Sequence, residues 1–220
     1  MNGAAPAVLI MARAPRRGEV RRALEPVLGR DGCVALQSAL IAEAVRWAQE
    51  VAPTRVHIAH DPPDANQELR TLLGCDVALF PQNGDGITGR LADAVGRVFA
   101  RGEGPLLIVW PDLPRLSPDH FTAALEDLRA GCDVVLGPAI DGGFYLIALA
   151  RPLPRLFALP ERAWRSGDVM EIGIAAVRDS GLEVGILRAE RPLHRPADVR
   201  AALADPLLAE RFGRILSRPA

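Results

Sequence analysis

The chain contains no lysine: all 26 of its basic residues are arginine. A Schiff-base mechanism through a lysine amine is therefore excluded. Any phosphate contact has to come from guanidinium, backbone N–H or a metal ion. Cysteine is scarce and odd in number. Cys33, Cys75 and Cys132 form no CxxC pair, which argues against a thiolate metal cluster. Each adjoins a glycine at the edge of an expected element, as a small buried thiol would. No apolar run approaches the ~18–20 residues of a membrane span. The first such run, in MNGAAPAVLIMARAPRR, has no basic region before it and reads as a strand, not a secretion signal. The expected location is the cytoplasm, with no membrane partner. Net charge is −1, so no general affinity for nucleic acid follows. The glycine spacings of a Rossmann or Walker loop are missing. So are a GxSxG elbow and a Ser-His-Asp order, which leaves a hydrolase without its nucleophile.

What is present is a chain of 220 residues, 49% hydrophobic and 24% charged, the make-up of a soluble globular protein long enough to bury a substantial core. Residues 1–220 are expected to form one domain. Strand-like and helix-like stretches alternate. Strands are predicted at 8–12, 55–60, 76–80, 105–110, 133–138, 144–149 and 182–187. Helices are predicted at 36–50, 65–73, 87–101, from Ser117 to about residue 130, at 168–181, and from Pro196 onward except around Pro206. Ser117 followed by Pro118 and Asp119 is a helix start: N-cap, proline in the first turn, then an acid. The order implies an α/β fold, three-layer α/β/α, with a mostly parallel sheet. Residues 133–138 and 144–149 are the one close strand pair. Residues 151–167, rich in Pro and Arg, are expected to be an irregular excursion over the active face.

In open α/β sheets, ligands bind beyond the carboxyl ends of the strands. The segments there are ARAPRRGEVRR, HDPPD, PQNGDG, PDLPRLS and AIDGG. Asp112, directly after the fourth strand, suits a magnesium or manganese ion, which needs one or two carboxylates beside substrate phosphates. A turn Asp is an equal alternative. Asp141 in AIDGG fits a hairpin turn, which leaves its side chain free to face a site. Arg13, Arg16, Arg17, Arg21 and Arg22 concentrate charge where a nucleotide phosphate could dock, or form a solvated basic loop. His194 is a lone histidine near the last strand.

MARAPxxG at 11–18, DLPRLS at 112–117 and DVVLGPAIDGGFYLIAL at 133–149 resemble a family of small bacterial transferases. These are glycosyltransferases associated with arsenosugar biosynthesis or radical-SAM gene neighbourhoods. They are related to molybdenum-cofactor guanylyltransferases and 2-phospho-lactate guanylyltransferases. QNGDGITGRL at 82–91 is similar to a loop of the same family. The resemblance implies a GT-A (nucleotide-diphospho-sugar transferase) fold. It implies a divalent cation, Mg2+ or Mn2+, on Asp112. The nucleotide would lie against Ala12, Arg13 and the loop to Gly18, with Arg21 on the phosphates and Arg90 supporting. Asp141 would face the acceptor or the metal.

Two segments depart from the pattern. Where the family has Lys-Thr-Arg-Leu, this chain has Arg21, Arg22, Ala23 and Leu24. Where it has Asp-Val-Asp-Thr-Pro-Glu-Asp, this chain has Pro192 through Asp198, with His194 a possible substitute metal ligand. The expected activity is glycosyl transfer from a nucleotide sugar to a small acceptor, with Asp112 and Asp141 the catalytic carboxylates. The alternatives are nucleotidyl transfer from a nucleoside triphosphate with release of pyrophosphate, and a degenerate homologue that binds nucleotide without turnover.

Overall fold

The structure, a computed structural model, describes residues 5–74, 76–157 and 159–217; Cys75 lies outside them. The strands are β1 (Ala7–Arg13), β2 (Val56–Asp61), β3 (Ala78–Pro81), β4 (Leu106–Val109), β5 (Val134–Pro138), β6 (Phe144–Leu149) and β7 (Val184–Ile186). They form one sheet in the order β3-β2-β1-β4-β6-β5-β7. Every neighbouring pair is parallel except the two made by β6, which runs antiparallel between β4 and β5. The α/β fold with a mostly parallel sheet is therefore as expected, including the close pair 133–138 with 144–149.

Burial follows from strand periodicity. Six of the seven residues of β1 are buried, as in a central parallel strand covered on both faces. Val8, Ile10 and Ala12 point to one face, which is covered by α1 (Glu25–Val51), α2 (Asn66–Leu73) and α4 (Pro118–Arg129). Ala7, Leu9 and Met11 point to the other, covered by α3 (Gly86–Phe99), α6 (Val169–Asp179) and the segment at 153–157. The excursion at 151–167 contains a 3-10 turn, Pro154–Phe157, and the short α5, Ala163–Ser166.

α1 starts eleven positions before the predicted Leu36. Gly29, at φ 64, kinks it, and Gly29 and Gly32 interrupt the apolar spacing that marks the later turns. Its first half leaves the sheet. It packs instead against α7 (Pro196–Leu203) and α8 (Glu210–Leu216), joining Leu28, Cys33 and Leu36 to Val199, Phe212 and Leu216. Cys33 is thus buried within a helix, not at an element edge as expected. Among the described residues no helix is long and apolar enough to cross a membrane.

The loops after β1 to β5 and β7 gather along one edge of the sheet, the carboxyl edge of its parallel strands. The candidate site lies there.

Candidate functional site

Asp112 is aimed by its own backbone. Pro111 and Pro114 restrict the chain around it. Its N–H donates to the Trp110 carbonyl at 2.8 Å, and its carbonyl accepts from the Leu193 N–H at 3.0 Å. The strand-4 end is thereby clamped to the segment before α7. Ser117 caps α4 as expected, with its hydroxyl 2.9 Å from His120 Nδ1.

Arg21 is the one non-glycine residue with positive φ among the described residues, at φ 51 and ψ 32. Such backbone carries a cost for a non-glycine residue and is held by surrounding contacts. Here the guanidinium supplies them. Nε donates to Gln37 Oε1 at 2.7 Å, Nη1 to the Leu193 carbonyl at 3.0 Å, and Nη2 to the Pro111 carbonyl at 2.8 Å. Nη2 also meets Asp112 Oδ1 at 2.5 Å. The Arg21 side chain is only 7% exposed. Gln37, buried on α1, holds the group in place and donates to the Arg13 carbonyl at 2.8 Å.

His194 approaches from the opposite side. Its Nδ1 lies 2.7 Å from Asp141 Oδ2, and its Nε2 lies 3.4 Å from Asp112 Oδ2. Both ring nitrogens face carboxylate oxygens, an arrangement that suits an imidazolium, in which both are donors. The Asp112 carboxylate raises the His194 pKa; burial opposes this and Asp141 adds to it. Burial alone would push the Asp112 carboxyl up, but Arg21 and His194 outweigh it and hold it well below the usual carboxylate range.

His194 is itself placed by Asp198 in the first turn of α7. That carboxylate accepts from the N–H groups of His194 and Arg195, at 3.2 and 2.8 Å, and from Arg191 Nη1 at 3.1 Å. Asp141 stands in the turn between β5 and β6. There Gly142, at φ 90, brings the turn against the excursion. Any Cβ at Gly142 would run into the Gly167 carbonyl, and the Gly142 carbonyl accepts from the Met170 N–H at 3.2 Å. The paired glycines accommodate a close approach of the protein's own backbone.

Three adjoining hollows line the edge, with Trp110 bordering all of them. The first, about 400 Å³, contains Asp112, Asp141, His194, Arg195 and Trp164. The second, about 360 Å³, contains Ala12, Arg13, Asp61, Gln82, Arg90 and Glu161. The third, about 230 Å³, runs between Arg13, Arg21 and Asp112. The excursion closes one side. Trp164 Nε1 donates to Thr88 Oγ1 at 3.0 Å, and the Ile87 N–H donates to Glu161 Oε2 at 3.2 Å.

The predicted residues divide accordingly. Asp112, Asp141 and His194 come together. Ala12, Arg13 and Arg90 form a separate lobe, with Arg13 and Arg90 both turned to Asp61, at 2.8 and 3.6 Å. Gly18 borders none of the three hollows. Part of the positive charge expected of the first loop is turned away from the cleft. Arg16 pairs with Glu68 and Asp64, and Arg17 with Asp31, away from the cleft, because those acids lie on neighbouring elements within reach. Arg21, expected on phosphate, turns inward to Asp112. Gln37, Trp110 and Asp198 were not predicted. A polar Gln beside the apolar stripe of α1 and an acid two residues after Pro196 were the available signals.

The donor set does not fit a divalent cation as it is arranged. One oxygen of Asp112 is taken by Arg21, the other faces His194, and both ring nitrogens of His194 are turned to carboxylate oxygens. Among the described residues, no group of three or more His, Cys, Asp or Glu is placed to hold an ion.

Residues 44–164 match the family described as an uncharacterized protein conserved in bacteria (DUF2064), and the chain belongs to that family. No curated protein matches the chain. Among solved structures, one from Desulfovibrio desulfuricans, provisionally assigned as a nucleotide-diphospho-sugar transferase, is 22% identical with a TM-score of 0.86; 97% of each chain is covered. A cytidylyltransferase from Leptospira borgpetersenii is 11% identical with a TM-score of 0.58, covering 97% of this chain and 93% of its own. A Mycobacterium tuberculosis protein solved with manganese is 15% identical with a TM-score of 0.51, covering 96% and 98%. At these identities the likeness is one of fold, and the fold is that of nucleotide-diphospho-sugar transferases.

Proposed function

We propose that this chain, read as one domain, is a nucleotide-dependent transferase, and that it transfers a glycosyl group from a nucleotide sugar to a small acceptor. One observation carries the reading. A cleft at the carboxyl edge of the sheet joins an arginine-bearing lobe, with Arg13 and Arg90, to a lobe where Asp112, Asp141 and His194 meet. The first lobe suits a nucleotide and its phosphates. The second suits the sugar and the acceptor, with Trp110 between them.

In the transfer step an acceptor hydroxyl oxygen attacks the anomeric carbon. The bond from that carbon to the diphosphate oxygen breaks, and the nucleoside diphosphate leaves with the electron pair. The hydroxyl proton passes to the Asp141 carboxylate. General-base help of this kind contributes roughly 10²–10⁴-fold. No step is routed through a metal ion, because the carboxylates are already matched by Arg21 and His194.

Nucleotidyl transfer is the second reading, favoured by the likeness to a cytidylyltransferase. There an acceptor phosphate oxygen attacks the α-phosphorus of a nucleoside triphosphate and pyrophosphate leaves. A thermal-shift panel of nucleotide sugars, nucleoside diphosphates and triphosphates tests both. Stabilisation by sugar nucleotides, with nucleoside diphosphate released on turnover, is the expected result. Pyrophosphate release selects the second reading, and binding without turnover selects a degenerate homologue. A panel with no shift at all would sink the proposal.

A further inference from the structure

We propose that His194 and Arg21 occupy the place of a divalent cation in this cleft, so that the site binds its nucleotide without a metal ion. The inference rests on the reading of the cleft as a nucleotide site.

The geometry is that of an internal cation shared by two carboxylates. His194 bridges Asp141 at 2.7 Å and Asp112 at 3.4 Å. The guanidinium of Arg21 takes the remaining oxygen of Asp112 at 2.5 Å. Both oxygens of Asp112 and one oxygen of Asp141 therefore already face nitrogens of the protein. A metal ion taking both oxygens of Asp112 would have to displace a buried guanidinium that makes four hydrogen bonds to three separate segments. Displacing it would strand a charge that is only 7% exposed, which is costly.

His194 is the opposite case. Its side chain is 43% exposed and borders the larger hollow together with Arg195. Its ring is therefore presented to a ligand while its nitrogens are held by protein. The placement is built: Asp198 fixes the backbone on either side of the ring through the N–H groups of His194 and Arg195. Arg21 acts only through Asp112 and is a positioning residue.

The experiment has two arms. In the first, Mn2+ alone is titrated into the full chain and followed by electron paramagnetic resonance. The expected result is no binding that Asp112→Asn removes. Tight Mn2+ binding lost in Asp112→Asn overturns the inference, whatever the nucleotide does. In the second, nucleoside diphosphate affinity is compared in EDTA and in Mn2+. It should change by less than about threefold; a gain of tenfold or more with Mn2+, equivalent to about 1.4 kcal/mol, overturns it.

His194→Asp replaces the internal cation with a third carboxylate and should create Mn2+ binding that the parent lacks. If that variant does not fold, the parent titration still decides. If no nucleotide binds in either condition, the functional reading falls, and the Mn2+ arm alone settles whether the site holds metal.

Discussion

Replacing Asp112 with asparagine separates two physical descriptions of this carboxylate. If it were an uncommitted acid kept for a ligand, its removal would leave stability unchanged or raise it, as is common at functional sites. In the structure it is instead the counter-ion of a nearly buried guanidinium. Asp112→Asn keeps the shape and one acceptor oxygen but leaves the Arg21 charge unmatched. Breaking a fully buried pair from one side costs about 3–5 kcal/mol. Asp112 is 24% exposed, so water recovers part of that, and about 2 kcal/mol is the reasoned figure. For a chain of this size, roughly 2–4 °C per kcal/mol, the melting temperature should fall by ~4–8 °C. Differential scanning fluorimetry reads the shift, and urea unfolding with an unchanged m-value confirms that stability, not compactness, has altered. Arg21→Gln combined with Asp112→Asn should cost less than the sum of the two single changes. An unchanged or raised melting temperature in Asp112→Asn, or strict additivity, refutes the ion-pair account.

Three further outcomes follow from the same geometry. His194 has its pKa raised above 6.5, so the stability it contributes is fully present below about pH 6.5 and is lost as the pH rises through the folded value. Melting temperatures measured across that window should decline more for the parent than for His194→Asn, and identical profiles would remove the ion-paired imidazolium. Gly142→Ala meets both a positive φ and the Gly167 carbonyl, so it should detach the turn from the excursion. Trypsin should then cut sooner at the exposed Arg162, and an unaltered digestion rate argues that the two backbones are not in contact. Trp110→Ala, with far-UV circular dichroism intact, should weaken nucleoside diphosphate binding by about tenfold if the ring is a stacking surface. Unchanged affinity excludes Trp110 from the binding face.

The sheet was readable in the sequence because its strands are short buried runs closed by Gly, Pro and Asp. Leu106–Val109 ahead of Pro111 is the clearest example. The start of α1 was not readable, since a helix kinked at Gly29 does not keep one apolar stripe and its first half buries a different face. In the candidate site, Asp112 and Asp141 were legible as residues that follow strands. Their partners were not, because those contacts are long-range. Arg21 reaches Asp112 across 91 positions, and His194 reaches Asp141 across 53. No periodicity encodes such pairs. The pairing of Arg16 and Arg17 was unreadable for a related reason: a cluster in sequence does not show that Asp64, Glu68 and Asp31 lie beside them in space.

The two segments that differ from the pattern expected by resemblance, at 21–23 and at 192–194, lie far apart along the chain. In three dimensions they converge on one carboxylate. Arg21 binds Asp112 Oδ1 and also the Leu193 carbonyl, the residue just before His194, while His194 faces Asp112 Oδ2. Changing either alone would unbalance the set. Arg21 with a carboxylate at position 194 leaves three acids against one guanidinium, a charge excess that invites a metal ion. His194 with a shorter cation at position 21 leaves Gln37, Pro111 and Leu193 without the planar donor that ties them together. The two segments therefore act on one site, where Arg21 and His194 both face the carboxylate at the end of β4.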